Sequence, residues 1–213
     1  MNLKSLGNYY TWAIKILIFA IPFLSLWISV SMFFPYITGR NFAFRILVEL
    51  ALALWIGLIY FRKEYRPKMS LIVTAVLVFG FIVGVADLFG INPYSSFWSR
   101  YERMEGYIII LHLIAYFLML ATVFRTKKDW FAFANIFLGV GALVGFYGIL
   151  QKLGFRPSIQ GGIRIDGTIG NPTYLAAYLL LVSFITLYLF SSTKIRWLKW
   201  LYGILLVYFL GKN

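Results

Sequence analysis

The chain has 213 residues, of which 62% are hydrophobic, 20% aromatic and only 13% charged, whereas soluble domains have about a quarter of their residues charged. The composition therefore excludes a water-soluble globular domain, and the lack of cysteine together with a single histidine argues against disulfides and a zinc site. The formal net charge of +13 lies in short clusters between apolar runs, which indicates membrane lipids as partners and no nucleic acid.

Apolar runs long enough to cross about 30 Å of hydrocarbon recur along the chain. They predict helices, because a backbone inside a bilayer must satisfy its own hydrogen bonds and because the alternation of a transmembrane strand is missing. The predicted spans are 12–34, 43–61, 69–89, 107–124, 130–151 and 172–191.

A shorter apolar run from Leu198 to Leu210 follows these spans, and the sequence ends three residues later. We expect the chain to be the N-terminal part of a longer protein. The predicted fold is an all-α, polytopic membrane helix bundle with six full spans plus a partial seventh, forming one membrane domain over 1–213.

The loops between the predicted spans are of two alternating kinds. The first kind is short and basic and shares its face with the N-terminus, which the positive-inside bias assigns to the cytoplasm; these loops are 62–68, 125–129 and 194–199. The second kind is longer, aromatic and rich in Gly, Pro and Asn; these loops are 35–42, 90–106 and 152–170. The outer loops carry arginines against the charge bias, and anion binding would account for them; these arginines are Arg40, Arg100, Arg103, Arg156 and Arg164.

The first outer loop contains Arg40 and is followed by Arg45 and Glu49. Residues four apart share one helical face, so Arg45 and Glu49 can form an ion pair. One interpretation is that this pair only lets both side chains tolerate the membrane edge. The other is that Arg40 and Arg45 form one wall of an outward-facing anion site, with Glu49 orienting Arg45.

The second outer loop, 92–106, interleaves charged and aromatic residues, namely Phe97, Trp98, Arg100, Tyr101, Glu102, Arg103 and Glu105. The aromatic side chains either belong to the interfacial belt of a membrane protein or stack on sugar rings. Because the four charges cancel, attraction to lipid headgroups does not explain them. Of two neighbouring ionisable residues, His112 is interpreted as a satisfied core histidine, whereas Asp87 is expected to pair with an arginine of the outer loops.

The third outer loop ends in a glycine-rich polar turn that runs into the apolar run 172–191. Asn171 is a suitable helix N-cap, and Pro172 suits the first helical position. Gly167 and Gly170 allow backbone angles that other residues resist. The turn is either a simple re-entry into the membrane or a device that brings two charged residues to the mouth of a helix, Arg164 and Asp166.

Two stretches resemble the O-antigen ligase-like family of bacterial membrane glycosyltransferases. They read Arg-x-x-Gly-Thr-x-Gly-Asn-Pro-x-Tyr-Leu-Ala-x-Tyr at 164–178 and Ser-Phe-Trp-Ser-x-Tyr-Glu-Arg-Met-Glu-Gly at 96–106. The family includes O-antigen ligases, O-antigen polymerases and bacterial protein O-oligosaccharyltransferases. The resemblance implies transfer from an undecaprenyl diphosphate-linked glycan donor to a glycan, lipid or protein acceptor, at the outer face of the bacterial inner membrane and without metal or nucleotide.

The resemblance and the outward arginines together give the candidate substrate-binding residues, which are Arg40, Arg45, Arg100, Arg103, Glu105, Arg164, Asn171 and Tyr174. Arginine forks bind phosphate oxygens and can stabilise a departing diphosphate. The marked active groups of the family are an arginine after the seventh span and an arginine and a histidine in a later outer loop. They match no position here, so the catalytic residues are expected beyond Asn213, and His112 is not assigned that role.

Three alternatives stay open. A glycan polymerase of the same fold differs only in its acceptor. A transporter would be expected to have inverted halves, broken helices and ionisable groups near the membrane midplane, whereas most charges here lie at the ends of the predicted spans. A non-catalytic scaffold or an inactive fragment is the third.

Overall fold

The computed structural model describes residues 3–100, 103, 105–158 and 164–210. Every regular element among these residues is an α-helix or a 3-10 helix, which confirms the all-α class. The α-helices are α1 (Leu3–Ala20), α2 (Thr38–Phe61), α3 (Leu71–Leu88), α4 (Pro93–Trp98), α5 (Tyr107–Val123), α6 (Lys127–Lys152), α7 (Pro172–Ser192) and α8 (Arg196–Leu210).

Five helical segments in the described part of the chain are long and apolar enough to cross a membrane. They are Leu6–Leu26, Thr38–Phe61, Leu71–Leu88, Lys127–Lys152 and Pro172–Ser192. Helices α5 and α8 are apolar but shorter, with 17 and 15 residues. A helical membrane protein is therefore supported, while the count of six full spans plus a partial seventh and the cytoplasmic N-terminus stay predictions.

The first apolar run folds differently from the predicted span 12–34. Helix α1 ends at Ala20 and continues only as the 3-10 helix Ile21–Leu26. Pro22 explains this end, because proline lacks a backbone N–H and disfavours the α conformation of the residue before it. Helix α2 begins at Thr38, inside the predicted outer loop 35–42.

The described chain divides into two compact units. The first unit comprises Met1–Ile21 and Ser29–Thr126 and contains α1 to α5. Helix α2 packs against α1 and α5, and α5 also packs against α3 and α4. The buried indole of Trp55 in α2 donates a hydrogen bond to the hydroxyl of Thr122 in α5 at 2.9 Å. This bond fixes the register of the two helices in the core.

The two ends of the first unit differ in chemistry. At one end, Arg62 donates to the side chain of Asn8 at 3.1 Å, and the guanidinium of Arg125 lies 5.1 Å from the ring centre of Tyr65. At the other end, the Tyr107 hydroxyl donates to the Gly80 carbonyl at 2.8 Å and joins α5 to α3. The basic and the aromatic loops of this unit therefore lie at opposite ends.

The second unit comprises Pro22–Ile28 and Lys127–Asn213 and contains α6, α7 and α8. Helix α7 packs against both α6 and α8 around a core that includes Val144, Leu179 and Phe209. Gly141 of α6 faces Val182 of α7 so closely that a Cβ atom at this glycine would lie 2.7 Å from Val182 Cγ1. Gly141 thus permits close packing of α6 on α7.

Candidate functional site

The turn before α7 is held by a buried carboxylate. Asp166 is only 3% exposed and accepts hydrogen bonds from Gln151 Nε2 at 2.8 Å and from Ser158 Oγ at 2.6 Å. Gln151 Oε1 accepts from the backbone N–H of Gly167 at 2.7 Å. Gly167 has φ +57°, a left-handed conformation that suits glycine. Asp166 therefore holds the turn, and its carboxylate is occupied by the protein.

Further contacts tie the same turn to the rest of the second unit. The Thr168 hydroxyl donates to the Ser25 carbonyl at 2.7 Å, and the side chains of Ser25 and Tyr178 lie 3.4 Å apart. The backbone N–H of Gly170, which has φ +80°, donates to the carbonyl of Asp166 at 3.0 Å. The turn is thus anchored both to the segment Pro22–Ile28 and to α7.

Asn171 is the N-cap of α7, as predicted. Its Oδ1 accepts from the backbone N–H groups of Thr173 at 2.9 Å and Tyr174 at 3.2 Å, and Pro172 is the first helical residue. Arg164 and the phenol of Tyr174 are exposed at the same helix start. Of the three candidate residues here, Asn171 has a structural role, while Arg164 and Tyr174 are accessible to a ligand.

In the first unit, Asn41 joins the start of α2 to the loop before α5. Its Nδ2 donates to the backbone carbonyl of Arg103 at 3.1 Å and to Glu105 Oε1 at 3.4 Å. The guanidinium carbon of Arg103 lies 4.3 Å from the ring centre of Phe34. We call Phe34, Asn41, Arg103 and Glu105 the Asn41 cluster. Asn41 was not among the residues predicted from the sequence, where only its position next to Arg40 pointed to a functional role.

The remaining arginine candidates of this unit differ in burial. Arg45 is 7% exposed, and its guanidinium carbon lies 4.6 Å from the ring centre of Phe42. Arg40 is half-buried in the first turn of α2. Arg100 is exposed and follows Ser99, which has φ 58°. Arg40, Arg100 and Arg103 thus lie at one end of the unit, while Arg45 packs into the protein.

Helix α4 presents aromatic side chains beside Arg100. The ring of Phe97 is half-buried and lies 4.8 Å from Trp98 and 6.0 Å from Tyr107, measured between ring centres. Tyr94 and Trp98 are 76% and 36% exposed. They are four residues apart, so they share one face of the helix. The other two predicted members of this loop, Tyr101 and Glu102, lie outside the described residues.

The two ionisable residues between the loops have different surroundings. His112 is buried, and its Nε2 lies 2.9 Å from Glu49 Oε1, so the contact of the Glu49 carboxylate is with His112. The orientation of Arg45 by Glu49 stays a prediction. Asp87 lies beside a cavity of about 280 Å³ lined mainly by apolar residues such as Phe81. Among the described residues, no arginine forms an ion pair with Asp87, so the predicted pairing is not found.

The candidate residues form two groups, one in each unit. Arg103 and Glu105 meet at Asn41 in the first unit, whereas Tyr174 lies in the first turn of α7 in the second unit and Arg164 precedes that helix in the sequence. From the sequence we also predict that the outer arginines form one common anion site, and this stays a prediction; they are Arg40, Arg45, Arg100, Arg103 and Arg164. Comparison of the chain with protein-family models, with curated proteins and with solved structures gives no match.

Proposed function

We propose that this chain functions as a membrane glycosyltransferase of the O-antigen ligase type. In this proposal it transfers glycan from an undecaprenyl diphosphate carrier to an acceptor at the outer face of the bacterial inner membrane. One observation carries the proposal. Both stretches with ligase-like motifs precede an apolar helix and contain an arginine, and polar contacts hold the backbone at Arg103 in the first stretch and the turn at Asp166 and Thr168 in the second.

The arginines supply the chemistry that a diphosphate needs. A guanidinium offers planar pairs of N–H donors that match two phosphate oxygens. Arg103 lies over Phe34, and its backbone carbonyl is held by Asn41, so little conformational freedom is lost when an anion binds. Donors that are already in place stabilise charge as it develops, and here that charge would grow on the departing diphosphate.

The exposed aromatic face of α4 supplies a surface for sugars. Tyr94 and Trp98 are exposed, and the Trp98 ring packs edge-on against the ring of Phe97. The C–H faces of a pyranose pack well on aromatic rings, which combine a large apolar surface with a polar edge. A glycan attached to the diphosphate would extend from Arg100 along this face.

The test is binding of an undecaprenyl diphosphate-linked glycan to the chain in lipid nanodiscs. Arg103→Ala is expected to weaken binding about tenfold, because a hydrogen bond to a charged group contributes about 1.5–3 kcal/mol. Arg103→Lys is expected to recover part of the loss, since lysine keeps the charge but not the fork.

The matched control is Arg66→Ala, which removes an exposed arginine from the opposite end of the first unit. It is expected to leave the affinity unchanged. Equal affinity of the wild-type chain and Arg103→Ala, with both folded, would remove Arg103 from the proposed site. The same substitution is expected to lower glycan transfer.

A transporter remains the second candidate, and one observation favours it. Glu49 and His112 are ionisable, lie inside apolar helices and contact each other. Ionisable groups within a membrane span mark functional sites by default.

A further inference from the structure

The Glu49–His112 contact joins α2 to α5 within the first unit. Glu49 is near the middle of α2, about 16 Å from its first residue at 1.5 Å per residue. His112 lies in the second turn of α5. Neither residue belongs to the Asn41 cluster or to the motif-bearing stretches, and the proposed glycosyl transfer does not use them.

The hydrogen bonds of the imidazole fix the protons that the pair must hold. His112 Nδ1 lies 2.7 Å from the carbonyl oxygen of Ile108. A carbonyl only accepts, so Nδ1 carries a hydrogen. The other nitrogen, Nε2, lies 2.9 Å from Glu49 Oε1, and this contact also needs one hydrogen. The hydrogen belongs either to an imidazolium or to a protonated carboxyl group.

Both assignments contain the same number of protons. In the first, an imidazolium faces a carboxylate; in the second, a neutral imidazole faces a carboxylic acid. Either pair holds one proton more than a neutral His112 beside an ionised Glu49. Without that proton, a lone pair of His112 Nε2 would face a lone pair of Glu49 Oε1 at hydrogen-bond distance. We propose that Glu49 and His112 form a membrane-embedded proton-binding site whose bound proton holds α2 against α5.

The two side chains differ in access. The His112 side chain is 10% exposed and the Glu49 side chain 62%. The imidazole is therefore the enclosed partner and the carboxylate the accessible one. A second hydrogen bond between α2 and α5, from Trp55 to Thr122, involves no titratable group.

The pair is surrounded by few other charges. By helical spacing, Arg45 stands one turn before Glu49, and Tyr116 one turn after His112. The packed helices α1, α3 and α4 add titratable groups that set the local field, namely Tyr9, Tyr10, Lys15, Asp87 and Tyr94. The 2.9 Å contact itself joins only Glu49 and His112.

The chain itself offers a selective probe, because His112 is its single histidine. Labelling with ¹⁵N-histidine therefore reports on the two ring nitrogens of a single imidazole in the wild-type chain in nanodiscs. At neutral pH we expect either a doubly protonated ring or a ring with hydrogen on Nδ1 only. In the second case, the infrared difference between wild type and Glu49→Gln is expected to contain a protonated carboxyl band. A ring with one proton beside an ionised Glu49 would overturn the proposal.

Glu49→Gln is expected to remove the need for the extra proton, because its amide N–H can donate to Nε2. The ring is then neutral, with hydrogen on Nδ1. Glu64→Gln, the same change at an exposed site in the basic end, is expected to match wild type. Amide exchange in α5 is expected to rise with pH relative to Glu49→Gln, and identical pH profiles would contradict the coupling. The site does not rest on the proposed glycosyl transfer, so an unaffected Arg103→Ala variant leaves it standing.

Discussion

At the scale of single residues, the polar groups of this chain either hold its backbone or remain available to a ligand. Asp166 and Asn171 belong to the first kind, because protein donors occupy their oxygens. Arg164 and Tyr174 belong to the second, since both are exposed beside those fixed groups. The ligase-like motif therefore mixes residues that shape the turn with residues that can touch a substrate.

Removal of the Asp166 carboxylate tests whether such a polar group holds the backbone. Asp166→Ala leaves Gln151 and Ser158 without their acceptor in a part-buried site. The expected loss is about 1–3 kcal/mol of stability, seen as a lower thermal midpoint in detergent micelles. Asp166→Asn keeps one oxygen and is expected to lose less. Glu64→Ala, in a partly exposed ion pair, serves as control, and an equal midpoint for both alanine variants would contradict the role of Asp166.

At the residue scale, contacts between residues adjacent in sequence were predictable, and contacts between residues far apart in sequence were not. The cap at Asn171 follows from residues that are adjacent in sequence, so sequence alone places it. The contact of Glu49 with His112 joins residues 63 positions apart. The contact depends on how α2 packs against α5, and the identity of neither residue predicts that packing. The same holds for Asn41, whose partners follow it by more than 60 positions.

At the scale of elements, helix starts with caps were predicted better than the end of the first helix. Helix α7 begins at Pro172, as its predicted span does. The first apolar run continues past Pro22, so hydropathy extends the predicted span to 34 although the α-helix stops at Ala20. Proline acts on the backbone and leaves hydropathy high. The α-helix therefore ends at a point where the hydropathy of the sequence shows no break.

The packing of α6 on α7 gives a prediction at this scale. A methyl group at position 141 would lie 2.7 Å from Val182 Cγ1 and 2.8 Å from its Cγ2. Gly141→Ala is expected to cost about 1–3 kcal/mol, as overpacking does, and to lower the thermal midpoint. Gly139 on the same helix has no atom within 4 Å of such a methyl group. Gly139→Ala is expected to be neutral or slightly stabilising, because alanine favours helix.

The contact itself is tested by a second substitution. Val182→Ala makes room on α7, so it is expected to recover part of the loss in Gly141→Ala, a coupling typical of residues in contact. Equal midpoints for Gly141→Ala and Gly139→Ala would show that α6 and α7 do not approach as described.

At the scale of the whole molecule, the alternation of loops carries the functional argument. Within the first unit, the basic loops and the arginine-bearing aromatic loops lie at opposite ends. Charge patterning predicted this arrangement because it follows from the order of spans and loops. The association of Arg103 and Glu105 through Asn41 was not predictable, since it needs the helix ends to be placed in space.

The side of the membrane that each loop occupies is the remaining prediction, and the chain suits a direct test because it has no cysteine. Single cysteines at the exposed positions Tyr94 and Thr173 are expected to react with an impermeant maleimide in intact spheroplasts. Cysteines at the exposed positions Lys68 and Lys194 are expected to react only after permeabilisation, because basic loops stay in the cytoplasm. Reaction at position 94 but not at position 173 would exclude one common anion site for the arginines of both loops. Protection of both would place the motif-bearing loops away from the lipid-linked glycan and end the proposed function.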